Sequence, residues 1–467
     1  MLFRSSSQPM LRIPCFSSLK AVFSDFYPLN SRNILAIRKK RLGYYNEDTA
    51  ASLDNLAAVL SLEDKLPEAE AMQREAVALN VKLLGNDHLD VAFSMNNLAD
   101  TLREEGKLEE AEATNRAVLI LRKKLLGEQH PDVAASLHNL ATVLAAEGKW
   151  NEAEGTNRAA LAIRRKVLKN RHPDVAGSLN NLAGVLVQEQ KLAEAETLQR
   201  EALDIQKEVL GSEHQDIAGS LNVLGTILWM QVKFAEAEGY QAGALAMFRK
   251  LMGTNSLDVA RTVLDLGTVL RCEGKLTEAE AAQREGLAIR KRVLGAQHPD
   301  VAVALDGLAA TLFDQGKLAE AERLHREELA LWRNLAGHEP RQPMAVAGLV
   351  DSLARLARTL LAEQRFADAG PLARECSETC EKALPGDWRA SHARSLLGGS
   401  LMGQNKFSEA EPLLVAGYQG LKKLEATITP DDKPCLEEAL KRLVNFYDAT
   451  DQPERAAEWK KRLEEDP

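Results

Sequence analysis

Aromatic residues make up only 5% of this 467-residue chain, as 5 Trp, 6 Tyr and 11 Phe. A core built on large rings is excluded, so Leu, Ala, Val and Ile must fill it. Cysteine is scarce as well: Cys15, Cys272, Cys376, Cys380 and Cys435 form an odd and sparse set. Such a set argues against a disulfide framework and for a reducing, cytoplasmic setting. No apolar run approaches the ~18–20 residues that a bilayer crossing requires, so no membrane partner is expected. Positive charge is not in excess either. Against 68 Asp and Glu stand 59 Lys and Arg, a formal net charge of −9. A nucleic-acid binder would usually show a net basic face, so no nucleic-acid partner is expected. No Ser/His/Asp arrangement, phosphate-binding loop or catalytic carboxylate pair can be defended, which reads as no enzyme, no cofactor and no metal.

What the chain has instead is a period. Leu56, Leu98, Leu140, Leu182, Leu224, Leu266 and Leu308 stand 42 residues apart, each followed by Ala or Gly. A fixed period of this length marks one structural unit copied many times, hence a solenoid rather than a closed globule.

One unit, from Gly127 to Leu168, shows the anatomy. Asp132 follows His130-Pro131 and precedes an apolar-periodic stretch, so it is expected to cap a helix. Val133, Leu137, Leu140, Ala141 and Leu144 fall at helical spacing. Gly148-Lys149 ends that helix, with Gly free to turn left-handed. A second helix follows from about Asn151 to Leu168. Junction glycines recur as Gly43, Gly85, Gly127, Gly211, Gly253, Gly295 and Gly337, with Lys169 as the exception. After Leu308 the key leucine moves by 48, 41 and 46 residues, to Leu356, Leu397 and Leu443. Thirteen residues after each of the ten leucines stands Ala: Ala69, Ala111, Ala153, Ala195, Ala237, Ala279, Ala321, Ala369, Ala410 and Ala456. A small residue at a helix crossing permits close approach. The pattern predicts ten helix pairs.

Leu-Ala in the first helix, Gly-Lys at the turn, Glu-Ala-Glu opening the second and the Gly-x-x-His-Pro-Asp-Val-Ala junction together resemble the tetratricopeptide repeat. The likeness is to the longer 42-residue form found in kinesin light chains and bacterial repeat proteins, and it runs from about residue 33 to the end. It implies an all-α, right-handed superhelical solenoid. One departure stands out. The usual aromatic of the second helix is replaced by Gln73, Asn115, Asn157, Gln199, Gln241, Gln283 and His325. The heptad coiled coil of true kinesin light chains is missing, which argues against a motor subunit. Protein-kinase motifs, which precede some bacterial repeat arrays of this kind, are missing too.

Three segments follow from this reading. Residues 1–32 show no repeat match, and a disordered tail, a mis-started gene and a targeting segment all remain open for them. Residues 33–336 hold a half repeat plus seven units of 42 residues. LAIRKKRLG at 35–43 matches LAIRKRVLG at 287–295, six periods later, so the pattern is entered halfway down a second helix. Residues 337–467 hold three divergent repeats, closed by a polar capping helix from about Glu454 to Glu464.

The column just before the leucine reads Asn55, Asn97, Asn139 and Asn181, then Val223, Asp265 and Gly307. In related arrays an Asn here looks into the concave groove, where a carboxamide can donate to and accept from a peptide backbone. By resemblance, Asn55, Asn97, Asn139 and Asn181 are the expected peptide contacts, bordered by Asn96, His138, Asn180 and Asn222. The alternative is that they bridge neighbouring helices inside the stack. Arg74, Arg116, Arg158, Arg200, Arg284 and Arg326 read as an exposed face laced with ion pairs. His88, His130, His172, His214 and His298 recur once per unit, too far apart to share one metal. Cys376 and Cys380 lie four apart on a helix and are half a metal site at most. The function implied is a non-catalytic scaffold that binds a peptide or protein segment, or else a regulatory module beside a signalling enzyme such as a kinase. An exposed amino-terminal repeat end offers a surface for self-association.

Overall fold

The computed structural model describes residues 27–337, 343–429 and 432–465. Among these residues the ordered elements are α-helices and one short 3-10 turn at Glu425–Thr427, with no strand. Helix α1 (Tyr27–Leu42) precedes ten helix pairs. Five of them are α2–α3 (Glu47–Leu62, Leu66–Leu84), α4–α5 (Leu89–Glu104, Leu108–Leu126), α6–α7 (Pro131–Ala146, Trp150–Leu168), α8–α9 (Pro173–Gln188, Leu192–Leu210) and α10–α11 (Gln215–Met230, Phe234–Met252). The others are α12–α13 (Leu257–Cys272, Leu276–Leu294), α14–α15 (Pro299–Asp314, Leu318–Ala336), α16–α17 (Pro343–Ala362, Phe366–Ala383), α18–α19 (Trp388–Gly403, Phe407–Lys423) and α20–α21 (Pro434–Ala449, Pro453–Glu465). The chain falls into two compact units, residues 1–205 and 206–467, and the division lies within α9. Helix α1 begins at Tyr27, inside the segment read as non-repeat, and the readings of residues 1–26 lie outside the described residues.

The predicted columns carry the core. All ten alanines are buried, Ala456 at 2% exposure being the most open. Nine of the ten leucines are buried; Leu266 is half-buried. The polar column that replaces the aromatic is buried too, from Gln73 to His325. In Gln283 the side-chain oxygen accepts from Thr311 Oγ1 at 2.8 Å.

The first-helix cap differs from expectation. His130, not Asp132, is the N-cap: its Nδ1 accepts from the Asp132 backbone N–H at 3.1 Å. Pro131 occupies the first helical position, where its missing N–H costs nothing, and Asp132 lies inside the first turn, so the cap is the residue before them. His88, His172, His214 and His298 do the same. Asn46 and Ser256 take that position in their own repeats with side-chain oxygens. The junction histidines are therefore structural. The turn between paired helices needs a positive φ, which Gly148 supplies at 74°. Val232 holds the same position at φ 64°, a conformation that opposes its branched Cβ. The junction residue is left-handed at Lys169 (67°) as at the glycines, but Gly337 departs with a right-handed φ of −79°.

Between repeats, a half-buried clamp recurs. Arg122 Nη1 donates to Asp132 O at 3.3 Å and Ser136 Oγ at 2.8 Å. Arg164 repeats this on Asp174 and Ser178. Arg38 of α1 repeats it on Asp48 and Ser52, so α1 acts as the second helix of a preceding repeat. The exposed Arg column is engaged in ion pairs: Arg74 with Glu70 and Glu110, Arg116 with Glu112 and Glu152, Arg158 with Glu154 and Glu194. Each exposed pair is worth ~0–1 kcal/mol. Within each unit consecutive first helices meet one another directly, as α2, α4 and α6 do, and the second helices do not to that extent. The first helices thus form the inner face of each unit.

Candidate peptide-binding face and a buried charged cluster

In the first unit the Asn column lies on the inner face. Asn55 is exposed on α2, Asn97 half-buried on α4, Asn139 half-buried on α6, and Asn181 exposed on α8. From Asn97 to Asn181 the residue before the leucine is joined to the preceding repeat. Asn139 Nδ2 donates to Asn96 Oδ1 at 3.0 Å. Asn181 Nδ2 stands 2.9 Å from His138 Nδ1. Burial lowers the His138 imidazole to about 4, so it is neutral near pH 7 and its ring nitrogen can accept. Asn97 bonds to the Asp54 carboxylate, which also accepts from Ser94 Oγ at 2.6 Å. Asn180 is half-buried on α8 and engaged. Asn97, Asn139 and Asn181, with Asp54, Asn96 and His138 as partners, therefore form rungs of an inter-repeat ladder. A rung uses one donor, and a carboxamide carries a second N–H and a carbonyl besides.

Asn222 belongs to the second unit and is different. It is 4% exposed, and its Nδ2 donates to Asp265 Oδ2 at 2.8 Å. The rung continues there with a carboxylate in place of a carboxamide.

The surroundings of the ladder are small. Gly177 and Gly184 flank Asn181 on the same face of α8, and a Cβ built on either meets nothing within 4 Å. Packing does not require these glycines, although each weakens a helix interior by about 0.5–1 kcal/mol relative to Ala. Phe93, four residues before Asn97 on α4, is 51% exposed.

A second polar concentration lies in the second unit and was not foreseen. Asp306 (α14), His325 and Glu328 (α15), Asp351, Arg355 and Arg358 (α16), Arg389 and His392 (α18), and Asp432, Glu438 and Arg442 converge. Arg355 pairs with Asp306, and its Nη2 lies 3.5 Å from Asp432. Arg358 pairs with Glu438 at 2.5 Å and covers the Phe313 ring at 4.1 Å. Arg389 pairs with Asp351 at 2.5 Å and with Asp387 at 2.9 Å. Two small cavities open onto the cluster and share Arg355, Arg358 and Asp432 in their walls. Burial lowers His325 and His392 to about 3, leaving both neutral. Burial pushes Glu328, Asp306 and Asp351 up.

Reading each column for what its members share hid this cluster. Glu328 stands where the other repeats place Ala76, Val118, Ala160, Ala202, Ala244 and Gly286. A carboxylate at a buried small-residue position, three residues after the lone His of the Gln/Asn column, is the signal that sequence could have offered.

A family model for the tetratricopeptide repeat matches residues 48–119, 90–166, 174–250, 216–291 and 258–334. Among solved structures, apo RapI is 13% identical, with 80% of this chain and 97% of that one covered and a TM-score of 0.57. The apo form of the quorum sensor NprR from B. thuringiensis is 12% identical, with 82% and 99% covered and a TM-score of 0.55. BtubC (BKLC) from P. vanneervenii is 25% identical over 49% of this chain and 92% of that one, with a TM-score of 0.45. The likeness to RapI and NprR is one of fold. No curated protein matches the chain. No described helix is long and apolar enough to cross a membrane.

Proposed function

The chain belongs to the tetratricopeptide-repeat family, and from that premise we propose that it is a non-catalytic scaffold holding an extended peptide segment on the inner face of its first unit. The observation that carries this reading is the ladder of Asn97, Asn139 and Asn181 on three successive first helices, bordered by bare helix backbone at Gly177 and Gly184. An extended segment presents an N–H and a C=O at every residue. The carboxamides can pair with both, whatever the side chains of the ligand. Phe93 supplies an apolar anchor one helical turn from Asn97. Backbone bonds then give affinity, and the anchor gives a side-chain preference.

The test is selection of binders from a synthetic peptide array on the full chain, followed by affinity measurement on an Asn97→Ala plus Asn139→Ala variant whose helicity matches wild type. Each lost hydrogen bond is worth about 0.5–1.5 kcal/mol, so losing one at each of the two positions should weaken binding roughly 5- to 150-fold. Equal affinity of the folded double variant would refute the reading.

A further inference from the structure

We propose that Asp306, His325 and Glu328 form a binding site for one first-row transition-metal dication of the zinc type, set into the inner side of the second unit. One donor atom from each residue can be chosen so that all lie within 4.8 Å of one another. His325 Nδ1 and Glu328 Oε2 are 3.3 Å apart. Ligands at ~2.0–2.1 Å around a tetrahedral zinc stand about 3.3–3.4 Å from each other, so this edge already has the required length. The other separations, up to 4.8 Å, need to close by as much as about 1.4 Å, which side-chain rotation on α14 and α15 must supply. The donor set of one imidazole and two carboxylates suits Zn2+ or Co2+ with water in the remaining position.

Three further observations point to a cation here. Asp306 Oδ1 is buried without a hydrogen-bond partner, while its other oxygen is held by Arg355. His325 and Glu328 are 2% and 1% exposed, so their polar atoms have been withdrawn from water to face each other. Charge is also out of balance. The cluster's Asp306, Glu328, Asp351, Asp432 and Glu438 are five carboxyl groups, whereas Arg355, Arg358, Arg389 and Arg442 are four guanidiniums. Arg271, on the cavity wall, is paired with Asp314 outside the cluster. The cluster is thus left with an excess of carboxyl groups, and buried charges are stable when paired or bound to a metal. His325 lines one of the two small cavities described above.

Sequence logic supports the site independently of the ladder. The three residues sit on one helix pair, and the His and Glu are three apart on α15, hence on one face. Glu328 replaces a small buried residue found in the six preceding repeats. A hydrophobic stack has no use for a carboxylate there, and a ligand set does.

The experiment titrates the full chain, freed of metal by a chelator, with CoCl2 and then ZnCl2. Expected is uptake of one Co2+ per chain with visible absorption bands, displaced by one equivalent of Zn2+. In the near-isosteric variants Asp306→Asn and Glu328→Gln, affinity should fall at least about 30-fold. His298→Asn, at a junction histidine, should bind as wild type. Absence of one-equivalent uptake by the wild-type chain would mean that protons balance the cluster, and it would overturn the site. So would unchanged binding in the two isosteric variants. The wild-type titration decides even if a variant fails to fold.

Discussion

At the scale of the residue, Asp54 shows how a ladder position ties stability to pH. Its carboxyl is 6% exposed, and burial raises it from 3.8 to about 6 despite its bonds to Ser94 and Asn97. The folded chain therefore holds this proton more tightly than the unfolded chain does. The resulting stabilisation is complete below about pH 4 and is lost as pH rises through about 6. The shift corresponds to about 3 kcal/mol. Denaturant unfolding of wild type and Asp54→Asn at pH 4 and pH 7 checks it. Their difference in stability should move against wild type by up to that amount at the higher pH. Other titrations cancel in the difference, and a constant difference would show that the carboxyl is not perturbed. The leucine and alanine columns were legible at this scale because packing constrains every repeat alike. Glu328 was not, because its meaning lies in departing from its column. The rungs fell between the two. Sequence placed Asn139 and Asn181 on the inner face but could not show that their first bonds go to Asn96 and His138.

At the scale of the element, the caps carry the lesson. Asp132 has the side chain expected of a cap, yet it lies inside the first turn and His130 is the cap, as His88 and His214 are in repeats without the proline. In α8, His172→Ala should cost ~0.5–2 kcal/mol in urea unfolding, and His172→Asn should recover most of it. Loss of stability in both variants would mean that ring packing, not capping, is the role of His172. The same helix offers an opposite test. Gly177→Ala plus Gly184→Ala should stabilise the protein by about 1–2 kcal/mol, since neither methyl group meets a neighbour. If a ligand backbone lies against α8, that more stable variant should also bind selected peptides more weakly.

At the scale of the whole molecule, each repeat depends on its neighbours. Leu140→Ala, at a residue 3% exposed, should cost ~2–5 kcal/mol. Hydrogen-exchange protection should fall most in α4 to α8, next to the lesion. A cost near zero would mean that the assigned register is wrong. The period predicted all ten pairs, including the three in looser register, because every one obeys the same leucine-to-alanine spacing. The division at residue 205 was not legible, since the 42-residue pattern runs through α9 without a change in composition.

The regular spacing of the contacts between repeats has a genetic consequence. Arg74, Arg116 and Arg158 each reach a Glu 36 residues on, and Lys107, Lys149 and Lys191 each reach one 37 residues back. Delete one 42-residue segment between α3 and α8 and Arg74 meets Glu152 in place of Glu110. Each of these ion pairs is remade with an equivalent partner. Unequal crossing-over can thus lengthen or shorten this stretch of the gene without new contacts having to arise. The segment encoding α14 and α15 has no such licence, because no other copy can supply Glu328. Variation in copy number among descendants of this gene should therefore accumulate before α14, which a comparison of their lengths would reveal.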